Sequence, residues 1–124
     1  MISGIGLDVC SIDRMRRALE RHGDRFFARI CSDEERRELE GRDPATALAG
    51  RFAAKEAFAK AIGGAPGVGW HEVLVLRGKS GRPRLEPRGT AAALLESAKI
   101  VRWHVSISHD AGFAAAMVVL EGAP

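Results

Sequence analysis

Tyrosine is absent from this 124-residue chain, and aromatic residues make up only 6% of it. Surfaces that hold single-stranded nucleic acid stack bases on aromatic rings, so this scarcity argues against an RNA-binding role that a basic composition would otherwise suggest. Cysteine is scarce as well. Cys10 and Cys31 stand far apart and form no Cys-x-x-Cys, which speaks against a metal knuckle or a thioredoxin-type couple and points to reduced thiols in the cytoplasm. The N-terminal apolar run is short, has no basic residues before it and meets Asp8 almost at once, so neither a secretory leader nor a membrane span is expected. No internal repeat, low-complexity tract or linker divides the sequence, and residues 1–124 read as one domain.

What is present describes an ordinary globular protein, with 46% hydrophobic and 28% charged residues. The formal net charge is +3 and the sequence pI is about 9.3. That balance suits a polyanionic ligand or an acidic partner and is too mild to require nucleic acid. A chain of this length builds a core, yet remains small enough to gain burial by oligomerising.

The organising stretch is Arg51 to Gly63, an alanine-rich helix with charge at fixed places. At about 100° per residue, Ala54, Ala57, Phe58, Ala61 and Ile62 share one arc, while Phe52, Glu56 and Lys60 lie roughly opposite. Glu56 and Lys60, at i and i+4, fit a plain solvent-facing pair worth a few tenths of a kcal/mol. Phe52 on the same stripe suggests instead that a ligand or another chain covers this side. Asp43 and Pro44 supply a cap and a first-turn proline, so the helix is expected from Pro44 to about Ile62.

Before it, Ile2 to Val9 reads as a strand with Ile5, Leu7 and Val9 alternating with Gly4, Gly6 and Asp8. Glycine in a strand marks close approach of a ligand or another backbone. Asp8, on the bared face, is therefore either a cation ligand or a strand-end residue turned outward. A helix from Ser11 places Met15, Ala18, Leu19 and His22 on one side and Arg14, Arg17 and Arg21 on the other, with Arg25 just past a stop at Gly23. The basic stripe is a solvated face or a dock for an acidic surface. Phe26, Phe27 and Ile30 supply core, and Ser32-Asp33-Glu34-Glu35 has capping-box spacing for a short helix read as scaffold.

After the long helix, Gly63 to Gly67 form a loop, and a strand from about Glu72 to Arg77 returns through Leu85 by a turn at Lys79-Ser80-Gly81-Arg82-Pro83. Thr90 to Lys99 reads as helix. Trp103 to Ser108 and Phe113 to Leu120 read as strands joined by His109-Asp110-Ala111-Gly112. His109 is either an exposed turn residue or, beside Arg51, Lys60 and Arg82, an anion contact. The expected fold is α+β, an antiparallel sheet packed against one long helix.

Gly6-Leu7-Asp8 with Ile12 and Arg14, then Arg51-Phe52-Ala53-Ala54-Lys55-Glu56-Ala57 with Lys60-Ala61 and Gly63, then Gly81-Arg82-Pro83 and Ser106-Ile107-Ser108-His109, resemble the bacterial holo-[acyl-carrier-protein] synthases. These are the short, single-domain members of the 4′-phosphopantetheinyl transferase superfamily. The resemblance spans nearly the whole chain and matches least from Glu34 to Arg42 and from Gly64 to Trp70. It implies transfer of the phosphopantetheine arm of coenzyme A to a serine of an apo acyl carrier protein, releasing adenosine 3′,5′-bisphosphate, with fatty-acid synthesis as the expected setting.

The resemblance also implies a Mg2+ held by Asp8 and Glu56 together with substrate phosphates, and Lys60 adding positive charge to the same oxygens. Glu56 or Asp8, directly or through a metal-bound water, would take the serine proton. Arg51, Arg82 and His109 would hold the 3′-phosphate and nucleotide end, with Gly63, Gly81, Pro83 and Ser108 at the cofactor. Arg14, Arg17, Arg21 and Arg25 would dock the acidic carrier. A homotrimer with sites at subunit interfaces is expected, without nucleic acid or membrane partners. The alternative is a non-catalytic module that binds coenzyme A or another nucleotide.

Overall fold

Asp43 starts the longest helix as expected: its carboxylate accepts from the Thr46 N–H at 3.2 Å, and Pro44 follows in the first turn. In the computed structural model, which describes residues 1–78 and 80–124, that helix is α4 (Pro44–Ala61). Around it stand β1 (Ile2–Ser11), α1 (Ile12–His22), α2 (Asp24–Ile30), α3 (Asp33–Glu38), β2 (Val73–Arg77), β3 (Pro83–Pro87), α5 (Gly89–Ser97), β4 (Ile100–Asp110) and β5 (Phe113–Gly122). A 3₁₀ turn, Trp70–Glu72, precedes β2. Lys79, expected in the hairpin turn, lies outside the described residues.

The antiparallel sheet is split. Three strands run in the order β1-β5-β4, and β2 and β3 form a separate hairpin. Trp103 of β4 ties the two together by donating its indole N–H to the Leu85 carbonyl at 3.1 Å. Helix α2 was not anticipated beyond its core residues, and Gly23, at φ 68°, ends α1 and precedes α2 at once. No helix among the described residues is long and apolar enough to cross a membrane.

α4 packs on the three-stranded sheet, and the glycines of β1 explain how closely. A methyl group at Gly6 would overlap the carbonyl oxygen of Ala57, and one at Gly4 that of Ala61. Of the two readings of these glycines, close approach of another backbone holds. The alternation in β1 is as expected, but its apolar residues point away from the core: Ile5, Leu7 and Val9 are 58%, 54% and 60% exposed, whereas Gly6 and Cys10 are buried. On the same outward face β5 places Phe113 and Met117, with Leu7 opposite Met117 in register.

α4 is also less one-sided than its charge pattern suggests. Alanine at Ala45, Ala47, Ala49, Ala53, Ala54, Ala57 and Ala61 lets neighbours close in on most of its circumference, and even Arg51 and Lys55 are buried. The Phe52, Glu56 and Lys60 stripe does remain the open side. The covering of Phe52 differs from expectation, because it stacks on Trp70 of its own chain, with ring centroids 5.3 Å apart.

Candidate functional site

The strand and helix that carry the two predicted carboxylates run side by side. Gly4 lies over Ala61 and Gly6 over Ala57, so Asp8 comes level with the preceding turn of α4, two strand residues and four helix residues each spanning about 6–7 Å. Side chains on a helix lean toward its N-terminus, which brings Lys60 back over β1. Its ammonium donates to the Leu7 carbonyl at 3.0 Å and to Asp8 Oδ1 at 3.1 Å. Glu56, one turn earlier on the same stripe, is half-buried and has no ion pair among the described residues. Asp8 and Lys60 are therefore brought together, with Glu56 one turn away on the stripe that carries Lys60.

The donors here are oxygens, which suit a hard divalent cation. No group of three or more His, Cys, Asp or Glu side chains is assembled among the described residues. Two carboxylates suffice for magnesium, which usually completes its octahedron with water and substrate phosphate.

Arg51 serves a different side of the helix. Five residues separate it from Glu56, a rotation of about 140° on an α-helix. It is 5% exposed, and its Nε is buried without a hydrogen-bond partner. Burial lowers its pKa, and the charges of Arg77 and Arg42 push the same way, against Cys31 and Glu35. These three arginines and His109 line one cavity of about 520 Å³ together with Asp43 and Thr46. A buried guanidinium with an open donor, crowded by two like charges, is a surrounding that suits an anion.

His109 belongs to this cavity, but it does not sit in a turn as its context suggested. β4 runs through it, pairing His109 with Ala114 and Asp110 with Phe113. Only Ala111 and Gly112, at φ 51° and 82°, make the two-residue turn. Because side chains alternate along a strand, Ser108 points to the opposite face from His109 and is exposed there, so the structure does not bring these two together. Gly81, Arg82 and Pro83, around the hairpin turn, do not line the Arg51 cavity either. Gly63, at φ 82°, closes the C-terminal end of α4, donates its N–H to the Lys60 carbonyl at 3.1 Å and does not line the Arg51 cavity.

The basic stripe on α1 is partly committed within the chain. Arg17 pairs with Asp13 at 3.1 Å, and Arg16 holds Asp43 at 2.9 Å. Arg14, Arg17 and Arg21 line one groove; Arg25 lines the next with His22, Phe26 and Arg29. Arg29 and the aromatic floor extend the patch beyond the sequence reading.

Arg42, Arg77 and Glu35 are the polar residues that sequence reasoning missed. Arg42 and Arg77 belong to distant segments with no local pattern to mark them. Glu35 was read as a cap and scaffold residue. It does complete the capping box with Ser32, but it is also wholly buried against Lys55.

The family model of the 4′-phosphopantetheinyl transferase superfamily matches residues 4–118. The holo-[acyl-carrier-protein] synthase of Solidesulfovibrio magneticus is 51% identical over 124 residues, covering 98% of this chain and 100% of that protein. That of Streptomyces avermitilis is 46% identical over 127 residues, with 98% of each covered. Among solved structures, the Neisseria meningitidis enzyme has a TM-score of 0.88 at 35% identity, covering 98% of this chain and 99% of that one. The Helicobacter pylori enzyme, solved in complex with coenzyme A, has a TM-score of 0.83 at 29% identity, covering 94% and 99%. By the family model, by relatives matched over their full length and by its fold, the chain belongs to the 4′-phosphopantetheinyl transferase superfamily, and within it to the holo-[acyl-carrier-protein] synthases.

Proposed function

We propose that this chain moves the 4′-phosphopantetheine arm of coenzyme A onto a serine of an apo acyl carrier protein, in a Mg2+-dependent reaction serving fatty-acid synthesis in the cytoplasm. The serine oxygen attacks the β-phosphorus of the pyrophosphate. A new phosphodiester forms, the bond to the α-phosphate oxygen breaks, and adenosine 3′,5′-bisphosphate leaves. The observation that carries this reading is the open, buried Arg51 guanidinium beside Arg42, Arg77 and His109, a cationic cavity suited to a phosphomonoester.

Asp8 and Glu56 would hold the Mg2+. Bound there, the ion would neutralise pyrophosphate charge and polarise the attacked phosphorus. Lys60, steadied by Asp8 and the Leu7 carbonyl, keeps N–H capacity for a phosphate oxygen, since two of its three donors are used. Glu56, which has no ion pair among the described residues, is the better placed acceptor for the serine proton; Asp8 is engaged by Lys60. Arg14, Arg21 and Arg25, with Arg29, would receive the acidic carrier.

Two observations support an oligomer with shared sites, for which the family resemblance implies a trimer. The outward sheet face keeps Leu7, Val9, Phe113 and Met117 in water in the single chain, which is a cost that a neighbour would relieve. The arginine cavity and the carboxylate cluster lie on different sides of α4, so one coenzyme A reaching both would pass between the arginines of one subunit and the carboxylates of the next. Such head-to-tail contacts close into a ring when the rotation between neighbours closes, and the trimer is the ring proposed.

The experiment is intact-protein mass spectrometry of an apo acyl carrier protein incubated with the chain and coenzyme A, with Mg2+ or with a chelator. A phosphopantetheine mass gain that needs both enzyme and metal, and is lost in Asp8→Asn and Glu56→Gln, is expected. No gain with several carriers would leave a binding module for coenzyme A.

A further inference from the structure

Alanine methyl groups cover much of α4, with Leu48 and Phe58 as its large, fully buried apolar side chains. Gly4 and Gly6 set its distance from β1 but have no side chains to lock its rotation. Away from β1, Lys55 adds strict directional demands to this apolar packing. Lys55 Nζ donates to the Ile30 carbonyl at 2.6 Å, to Glu35 Oε1 at 2.8 Å and to the Trp70 carbonyl at 2.9 Å, using all three N–H groups of the ammonium. Glu35 has no exposed surface and accepts two further N–H groups, from Ser32 and from Val75, each at 3.0 Å.

Buried ion pairs are a poor source of stability, because desolvation offsets their attraction and apolar replacements of similar volume are often as stable. What this pair supplies is a single satisfied arrangement. It reaches the carboxylate site by two routes. Lys55 precedes Glu56 in the chain, so the rotation of α4 that satisfies the ammonium also sets the direction of Glu56. Trp70, held by its carbonyl, stacks on Phe52 one turn before Glu56 and, with Glu56, lines a cavity of about 150 Å³.

We propose that the buried Lys55–Glu35 pair is a positioning device for the Glu56 carboxylate, fixing the rotation of α4 and seating Trp70 against Phe52. This rests on the reading of Glu56 as a carboxylate of the reaction site. The full chain is compared with Glu56→Gln and with the double variant Lys55→Met/Glu35→Met, which exchanges the pair for apolar side chains of similar volume. Four quantities are read: melting temperature, kcat with apo carrier, affinity for adenosine 3′,5′-bisphosphate by calorimetry, and Mn2+ affinity in the presence of that nucleotide by electron paramagnetic resonance.

The double variant is expected to melt below the parent, because the Ile30 and Trp70 carbonyls and the Ser32 and Val75 N–H groups lose their partners, yet to stay folded and bind nucleotide within about twofold, while kcat falls about tenfold or more and Mn2+ affinity falls severalfold. A folded double variant with parental kcat and Mn2+ affinity overturns the proposal, since a merely structural pair leaves both in place. If the double variant does not fold, Glu35→Gln, which keeps the volume and an acceptor for Lys55, carries the same comparison. Undiminished turnover in Glu56→Gln would remove the Glu56 reading and this proposal with it. Loss in Glu56→Gln beside parental values in the double variant would remove this proposal alone.

Discussion

Arg51 and Lys55 stand one turn apart on α4, both buried and both cationic, and their surroundings are opposite. Lys55 has a protein acceptor for every N–H it carries. Arg51 has an Nε with none, and its neighbours across the cavity are two more arginines. A folded chain keeps a buried charge only where something compensates it. For Lys55 the compensation is inside the protein, and the residue holds structure. For Arg51 the Nε finds no partner among the described residues, which is why the 3′-phosphate is proposed to bind there.

The difference can be broken from either side. The largest effect is expected from Lys55→Met alone, which strands Glu35 as an unpaired buried charge and should cost about 3–5 kcal/mol in chemical denaturation. Arg51→Met should leave the folded state as stable as the parent or more so. It should raise the KM for coenzyme A about tenfold or more, the worth of one charge-assisted hydrogen bond, and do little to the KM for dephospho-coenzyme A. Equal loss with both substrates would move the 3′-phosphate away from this cavity.

Arg14→Glu sharpens the contrast between a charge open to a small ligand and one open to a protein. It should raise the apparent KM for the carrier about tenfold and leave that for coenzyme A within about twofold, as steady-state kinetics would show.

The smallest effect is expected at Asp43, where α4 begins. Asp43→Ala removes an N-cap worth about 1 kcal/mol. The Arg16 guanidinium and the Thr46 hydroxyl and N–H hold the Asp43 carboxyl well below the usual carboxylate range. The contribution is therefore complete at neutral pH and fades only as acid protonates the capped carboxylate, so parent and variant melting temperatures should converge below about pH 4.

Most elements were legible because their signals are local. Ser11, Ser32 and Asp43 cap the helices that follow them, Gly23 stops one, and the 100° spacing of Phe52, Glu56 and Lys60 picks out the open side of α4. The turn before β5 was read too long because His109 and Asp110 are polar, and pairing with Ala114 and Phe113 overrode that preference. The outward direction of Ile5, Leu7 and Val9 was illegible for a related reason. Alternation shows that a strand has two faces, but only the helix lying on the glycines decides which face is the core.

The same division runs through the site. The sequence by itself determined which groups are available, Asp8, Glu56, Lys60, Arg51 and His109, because residue type and spacing along one helix or strand are written in order. Tertiary structure decided which of them meet. It brought Asp8 to Lys60 across two elements, added Arg42 and Arg77 to Arg51, parted Ser108 from His109, and enclosed Lys55 with Glu35. Contacts between distant segments follow from packing and desolvation summed over the whole chain, and no local stretch carries that sum.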